Sequence, residues 1–341
     1  MSRYDDAVRA ARAGLPTQPD LRDLVRFATL ASNSHNTQPW RFRLTANGID
    51  ILPDFSRRTP IVDPDDHHLF VSLGCAAENA AIAANASSRL AEVIATTLEG
   101  EGTAASVFLG RSPGMHPGTD LDLCNAIPLR QSTRSAFDGH VLATSELRQL
   151  EKAASMPGVE VLLITERPRL EQAIEFIQQG NGAQMDSPAF VRELKEWIRF
   201  NPAEALKKGD GLLGRCSGSP SAPGWLGPVL FGLAFRKDAE NGKYSRQVRS
   251  SAALAVFVAE KEGPEGWIQV GRSFERMALQ ATVLGIRHAH VNMPIEVPEV
   301  RPGFADWLGI PGRRPDLVIR FGRAQPMPIS IRRPLNAVIV S

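Results

Sequence analysis

Ala31-Ser32-Asn33-Ser34-His35-Asn36-Thr37-Gln38-Pro39-Trp40 is the stretch on which the fold turns. It places polar and turn-forming residues between an apolar helix and a strand, and it ends on a large aromatic. Asn, Ser and Gln side chains carry both donors and acceptors, which suits a ligand rimmed by carbonyls and ring nitrogens. The plainer reading of the same residues is a capped helix end with an Asx-turn, Trp40 serving as ordinary core. The residues alone leave both open.

Upstream, apolar spacing predicts helices over residues 4–13 and 21–31, with Pro16 and Pro19 breaking between them. Downstream, Arg41 to Leu44 and Ile49 to Pro53 read as a hairpin turning at Asn47-Gly48. Residues 69–85 are dominated by Ala and other small residues, a composition expected of a buried helix approached closely on several sides. Strands are expected at 92–97 and 105–109, followed by a turn-rich segment around 112–122. A new start at Ile127 puts the main boundary near residue 125, dividing the chain into 1–125 and 126–341. In the second part Thr144 is the expected N-cap of a helix carrying Leu147, Leu150 and Ala154. Strands follow at 159–164, 252–259, 287–291 and 317–321, with helices at 170–179, 189–199 and 273–284. Residues 209–228, rich in Gly, Ser and Pro, read as a long excursion from the core. One pattern occurs twice: Gly74-x3-Glu78-x2-Ala81-x2-Ala84 returns as Gly271-x3-Glu275-x2-Ala278-x2-Ala281. Each copy opens a helix after an apolar stretch and is followed by a strand, as expected of two halves with a common origin.

Composition excludes several classes. With 43% hydrophobic and 22% charged residues and a net charge of +2, the chain lacks the electrostatic footprint of a nucleic-acid or membrane-surface binder. Three widely spaced cysteines, Cys75, Cys124 and Cys216, form no disulfide framework or zinc motif. The residues at the start do not read as a signal peptide, so a soluble, cytoplasmic protein is expected. His288-Ala-His290 puts two imidazoles on one face of a strand without a third ligand, so no metal site is assigned. No Gly-x-Gly-x-x-Gly follows a strand, and no Gly-x-Ser-x-Gly reads as a nucleophile elbow.

Two further segments suit an anion. In Arg130-Gln131-Ser132-Thr133-Arg134-Ser135-Ala136-Phe137, two Arg at i and i+4 with hydroxyls between them can cradle a dianion. A solvated basic helix end is the alternative. Ile329-Ser330-Ile331-Arg332-Arg333-Pro334-Leu335 adds a second Arg pair, which an unattached surface segment would also explain.

Taken together, the three segments resemble the nitroreductase family of FMN-binding flavoproteins. The loop from Ser32 through Trp40 is similar to that family's Pro-Ser-x-x-Asn-x-Gln-Pro-Trp signature, with Ala31 in place of the usual Pro. Arg130 to Phe137 looks like its opening Arg-Arg-Ser-x-Arg-x-Phe. The resemblance implies flavin neighbours at Ser32, Asn33, Asn36 and Gln38. It implies phosphate contacts at Arg130, Ser132, Arg134 and Arg332, and less directly at Arg333. The order of the motifs is inverted relative to an ordinary member, where the Arg-x-Ser motif precedes the loop. Here each half lacks what the other keeps, a layout similar to the fused, Acg-like branch of the family. The implied fold is α+β: two related halves, each a mixed β-sheet flanked by helices, forming an internal pseudo-dimer that need not oligomerise further. The implied activity is NAD(P)H-dependent two-electron reduction of nitroaromatics or quinones by a ping-pong flavin mechanism, with one FMN and no obligatory catalytic side chain. The alternative is FMN storage or sequestration beneath a lid at 209–235, where Trp225, Leu230, Phe231 and Phe235 sit among Gly and Pro.

Overall fold

A computed structural model of the protein describes residues 2–110 and 120–341. Helices α1 (Arg3–Ala11) and α2 (Leu21–Thr29) each open with a capping box, Ser2 with Asp5 and Asp20 with Asp23. The loop quoted above then feeds the hairpin β1 (Trp40–Thr45) and β2 (Gly48–Pro53), turning where expected. Helix α3 (His67–Ala86), strands β3 (Leu90–Leu98) and β4 (Gly102–Gly110), and helix α4 (Leu121–Ala126) complete the first part. Most of the expected turn-rich segment at 112–122 lies outside the described residues.

The second part begins with α5 (Thr144–Ala154) and β5 (Val159–Ile164). Thr144 is the first helical residue of α5, not its cap. Ala143 holds the cap position, and its N–H donates to Glu146 Oε2 at 2.9 Å, so the reach-back half of a capping box does the work. Then come α6 (Arg167–Asp186), α7 (Pro188–Glu196), β6 (Ile198–Arg199), α8 (Pro202–Lys208), β7 (Leu212–Leu213), α9 (Gly227–Ala234) and α10 (Lys237–Arg249). The chain returns to the core as β8 (Ala253–Ala259), α11 (Pro264–Val283), β9 (Arg287–His290), α12 (Met293–Glu296), α13 (Arg301–Leu308) and β10 (Leu317–Gly322), and β11 (Ile339–Val340) closes it.

The two sheets repeat one topology. In the first, β1-β2-β4-β3 lie side by side, antiparallel throughout; in the second, β5-β8-β10-β9 do the same. In each case two strands precede a 20-residue helix and two follow it. Parallel pairing enters each sheet through a segment from elsewhere: β11 alongside β1, and Ser132 bridged to His288 of β9. The halves differ chiefly in what joins the first two strands. Between β1 and β2 there is a tight turn, whereas between β5 and β8 lie residues 165–252 with five helices.

The repeated Gly-x3-Glu pattern has a direct physical cause. A Cβ on Gly74 would lie 2.0 Å from the Ile268 carbonyl oxygen, and one on Gly271 would lie 2.0 Å from that of Val71. Central helices α3 and α11 therefore cross backbone to backbone, each glycine beneath the other helix. One apolar core joins α2, α3, α11 and both sheets, and a second lies between the other face of the β8 sheet and α6, α12 and α13. Among the described residues α3 alone is long and apolar enough to cross a membrane, and 89% of that stretch is buried inside the protein.

Candidate cofactor site

The loop between α2 and β1 carries three non-glycine residues in left-handed backbone: His35 at φ 46°, Asn36 at 55° and Gln38 at 53°. Each such residue costs on the order of 1–3 kcal/mol and persists only where its surroundings over-determine it. The clamps are visible. Asn33 Oδ1 accepts the Gln38 N–H at 2.9 Å, and Asn36 Nδ2 donates to the Gly211 carbonyl at 2.9 Å. Gln38 Nε2 donates to the Gly209 carbonyl at 2.8 Å, while its Oε1 accepts the Arg333 N–H at 2.7 Å. The loop is thereby pinned to the insertion and to the last segment of the chain.

Behind the loop is a small niche of about 50 Å³ lined by Arg12, Arg130, Ser132, Arg134, Ser330 and Arg332, together with Ser32, Asn33 and Asn36. Two of its cations, Arg130 and Arg332, are held by the open end of α2, where backbone carbonyls lack helical partners. Arg332 Nε donates to Thr29 O at 2.7 Å, and its Nη2 to Leu30 O and Ala31 O at 3.2 Å. Arg130 Nη2 donates to Leu30 O at 2.8 Å, and its Nε lies 3.0 Å from Glu275 Oε1. Arg12 donates to Pro128 O and Arg130 O at 2.5 and 3.1 Å. Three guanidinium groups thus meet one carboxylate, that of Glu275. Burial and mutual repulsion push Arg12 well below the usual arginine range and bring Arg332 down to about 10. Arg134 lines the niche and the larger cavity alike, and among the described residues no protein group pairs with its guanidinium. A pocket so overloaded with buried cations calls for a dianion.

The niche adjoins a cavity of about 430 Å³, a size usual for cofactor sites. Ser32, Asn33 and Arg134 line both spaces. One face of α3 (His68, Val71, Ser72, Cys75) and Phe274, Ala289 and His290 make its floor and walls. Residues of the insertion, among them Phe200, Leu230, Phe231 and Phe235, face it from the other side, the last two rings stacked at 4.6 Å. His35 and His290 are held neutral by burial and by the Arg134 charge, at about 4 and about 3. Ser32 Oγ is buried without a hydrogen-bond partner in the protein.

Of the residues singled out in the sequence, Ser32, Asn33, Asn36, Arg130, Ser132, Arg134 and Arg332 come together here. Gln38 and Arg333 line neither space. Gln38 is fully buried as a clamp, and Arg333 bonds the Ala337 carbonyl at 2.7 Å and sits 3.6 Å from Asp54. Arg12, Ser330 and Glu275 were not among the contacts inferred from the motifs. Arg12 ends α1 without a motif around it, whereas Glu275 was visible as the second acid of the repeated pattern. The first acid makes an instructive contrast. Glu78 pairs with Arg272 at 2.9 Å and Arg276 at 2.7 Å, and Arg276 also pairs with Asp120. Two cations there meet two carboxylates, so the related position is charge-balanced. Among the described residues no three His, Cys, Asp or Glu side chains form a group able to hold a metal ion.

No family model matches the chain. Two curated proteins of Mycobacterium tuberculosis, from strains CDC 1551 / Oshkosh and ATCC 25618 / H37Rv, are each named "Putative NAD(P)H nitroreductase". Each is 24% identical to it, over 97% of this chain and 94% of their own. The chain is thus similar over nearly its full length to proteins bearing that name. Among solved structures, the FMN-dependent nitroreductase NfnB from Mycobacterium smegmatis in complex with NADPH has a TM-score of 0.42 at 14% identity, covering 64% of this chain and 96% of that one. A nitroreductase with bound FMN from Desulfitobacterium hafniense DCB-2 has 0.40 at 12%, covering 64% and 97%.

Proposed function

We propose that this protein binds one FMN and uses NAD(P)H to reduce small aromatic acceptors, nitroaromatics or quinones, in two-electron steps. The observation that carries this reading is the surplus of buried guanidinium in a niche that opens into an aromatic-walled cavity. The donor set fits a phosphomonoester: Arg12, Arg130 and Arg332 supply planar forks, and Ser132 and Ser330 hydroxyls fill remaining acceptor sites. Arg134 and the unpartnered Ser32 Oγ stand where the niche meets the cavity, placed to orient the chain and ring system beyond the phosphate. Bound FMN would supply hydride transfer between nicotinamide and acceptor. The protein supplies grip, orientation and exclusion of water. Phe200, Phe231 and Phe235 form an apolar wall against which a flat aromatic can stack.

In the same reading, residues 1–125 and 126–341 descend from two protomers of a dimer. One site survives around Glu275, and the other has closed into the balanced cluster around Glu78. The segment 209–235 acts as the cover of the surviving site.

Purified protein reconstituted with FMN, then mixed anaerobically with NADH or NADPH, tests the proposal. Bleaching by either nucleotide, followed by reoxidation with a nitroaromatic or a quinone, is the expected outcome. Protein that cannot be loaded with FMN refutes it. Loaded protein that bleaches with dithionite but with neither nucleotide assigns storage in place of turnover.

A further inference from the structure

At one end of the large cavity stands a carboxyl that nothing in the flavin reading requires. Glu296, the last residue of α12, lines the cavity together with His68, Gln184 and Asn181. Its Oε2 accepts a hydrogen bond from Gln184 Nε2 at 2.6 Å, and its Oε1 lies 3.5 Å from His68 Nε2. His68 and Cys75 are both on the cavity face of α3, and seven residues of helix span about 10 Å. Cys75 donates to Gly271 O, beside the α3–α11 crossing, so Glu296, next to His68, stands toward the N-terminal end of α3 from Cys75.

We infer that Glu296 is the acid that gives the second proton to the oxygen of the aromatic acceptor, a step that rests on the reductase reading above. The chemistry requires such a donor. A quinone that receives a hydride gains two electrons and one proton, and needs one more proton to leave as the quinol. A nitro group that receives a hydride and one proton becomes a nitroso group and releases water. In the reductase reading the hydride would reach the acceptor from reduced nicotinamide through bound FMN; the proton must come from solvent or from a group that lines the cavity.

Glu296 is the carboxyl whose surroundings suit the task. Among the described residues no cation pairs with it. Arg301 on α13 spends its Nε on the Ile295 carbonyl at 2.6 Å, and Lys243 on α10 is neutralised by Glu240. His68 is held well below its usual range by burial and by neighbouring His67, Arg314 and His290, so it stands as a neutral imidazole. Burial raises the Glu296 carboxyl to about 7, and the nearby Asp63 charge adds to the rise. Because Oε2 takes the Gln184 N–H, Oε1 is the oxygen left to carry the proton, 3.5 Å from the neutral His68 imidazole. The alternatives are otherwise engaged. Asp63 is raised as well, but its oxygens accept the His68 and Leu69 N–H groups and it does not line the cavity. The Tyr244 phenol is pushed up by burial and by Glu240, too weak an acid for the role. A general acid with a pKa near the working pH contributes about 10²–10⁴ in rate.

The test uses FMN-loaded protein and treats the two half-reactions separately in a stopped-flow instrument. Glu296→Gln is isosteric with the protonated acid, so the fold and the nucleotide-driven bleaching are expected to stay within about twofold of the parent. Reoxidation by a benzoquinone or a nitrofuran is expected to slow by at least tenfold. In the parent that step falls as pH rises through about 7; in Glu296→Gln the fall disappears, and Glu296→Asp restores part of it. A second readout needs no turnover: a carbon-13 carboxyl signal absent from Glu296→Gln should titrate near neutrality in the unloaded protein. Reoxidation unchanged in rate and pH profile, with normal bleaching, overturns this inference alone. A carboxyl signal that stays ionised down to the ordinary glutamate range overturns it as well. Protein that never bleaches with either nucleotide refutes the reductase reading and takes this one with it.

Discussion

Among the described residues Glu275 is the sole carboxylate facing the Arg12, Arg130 and Arg332 cluster, and its replacement by Gln isolates what that charge does. The side chain is fully buried; Oε1 lies 3.0 Å from Arg130 Nε, and Oε2 accepts the Ser32 N–H at 3.2 Å. Gln keeps the volume and one acceptor but removes the charge, leaving three guanidinium groups uncompensated. Removing one partner of a buried ion pair costs roughly 3–5 kcal/mol. At roughly 2 °C per kcal/mol for a chain of this size, the melting temperature of the cofactor-free protein should fall by roughly 6–10 °C. FMN brings a phosphate of about −1.5 to −2 charge into the same niche. Saturating FMN should therefore raise the melting temperature of Glu275→Gln by more than it raises the parent's. Arg130→Met combined with Glu275→Gln removes both charges and should recover most of the lost stability without FMN, while showing a smaller response to it. Calorimetric scans of the three proteins with and without FMN make the comparison. A cofactor-free Glu275→Gln that melts with the parent would refute the charge-surplus argument, as would a double variant no more stable than the single.

Two further predictions follow from the packing. Gly271→Ala places a methyl 2.0 Å from Val71 O and should cost at least about 3 kcal/mol in a urea titration, whereas Gly14→Ala, with open space around it, should stay within about 0.5 kcal/mol. Asp63 is buried, and its folded pKa is raised to about 7 from 3.8. The folded state therefore holds its proton more tightly than the unfolded chain does, so the contribution is complete below about pH 4 and is lost as pH rises through about 7. Stability should decline over that window, and Asp63→Asn should make the decline shallower in melts recorded across it.

Much of the molecule was legible in the sequence because the relevant signals were local. The β1–β2 hairpin, the strand at Val159–Ile164 and the glycine pair at the helix crossing all follow from patterns only a few residues long. Errors arose where a local signal had a tertiary cause. Helix α6 runs through Gly180 and Gly182, which resembled a stop; a Cβ on Gly180 would lie 2.4 Å from Met293 O, so this glycine permits close packing and does not end the helix. Helix α11 starts at Pro264 and not at Ser273, a start that proline at the first helical position does signal. At the site, loop and Arg motifs indicated the chemistry, but not the division between residues that face the niche and residues that brace it. Gln38 and Arg333 belong to the second group, and only partners far away in sequence reveal it. Arg12 had no motif at all; its place is set by the carbonyls of Pro128 and Arg130.

The bond from Arg332 to the Thr29 carbonyl joins residues 303 positions apart, and β11 pairs with β1 over a similar distance. A chain emerging N-terminus first will have made α2, the loop and β1 long before the segment that secures them. Until that segment arrives, the end of α2 keeps its carbonyls in water and the three left-handed residues have only part of their support. Completion of the niche should thus be a late, high-contact-order event in folding, and a cofactor with a phosphate would act at the moment the nascent protein closes on itself.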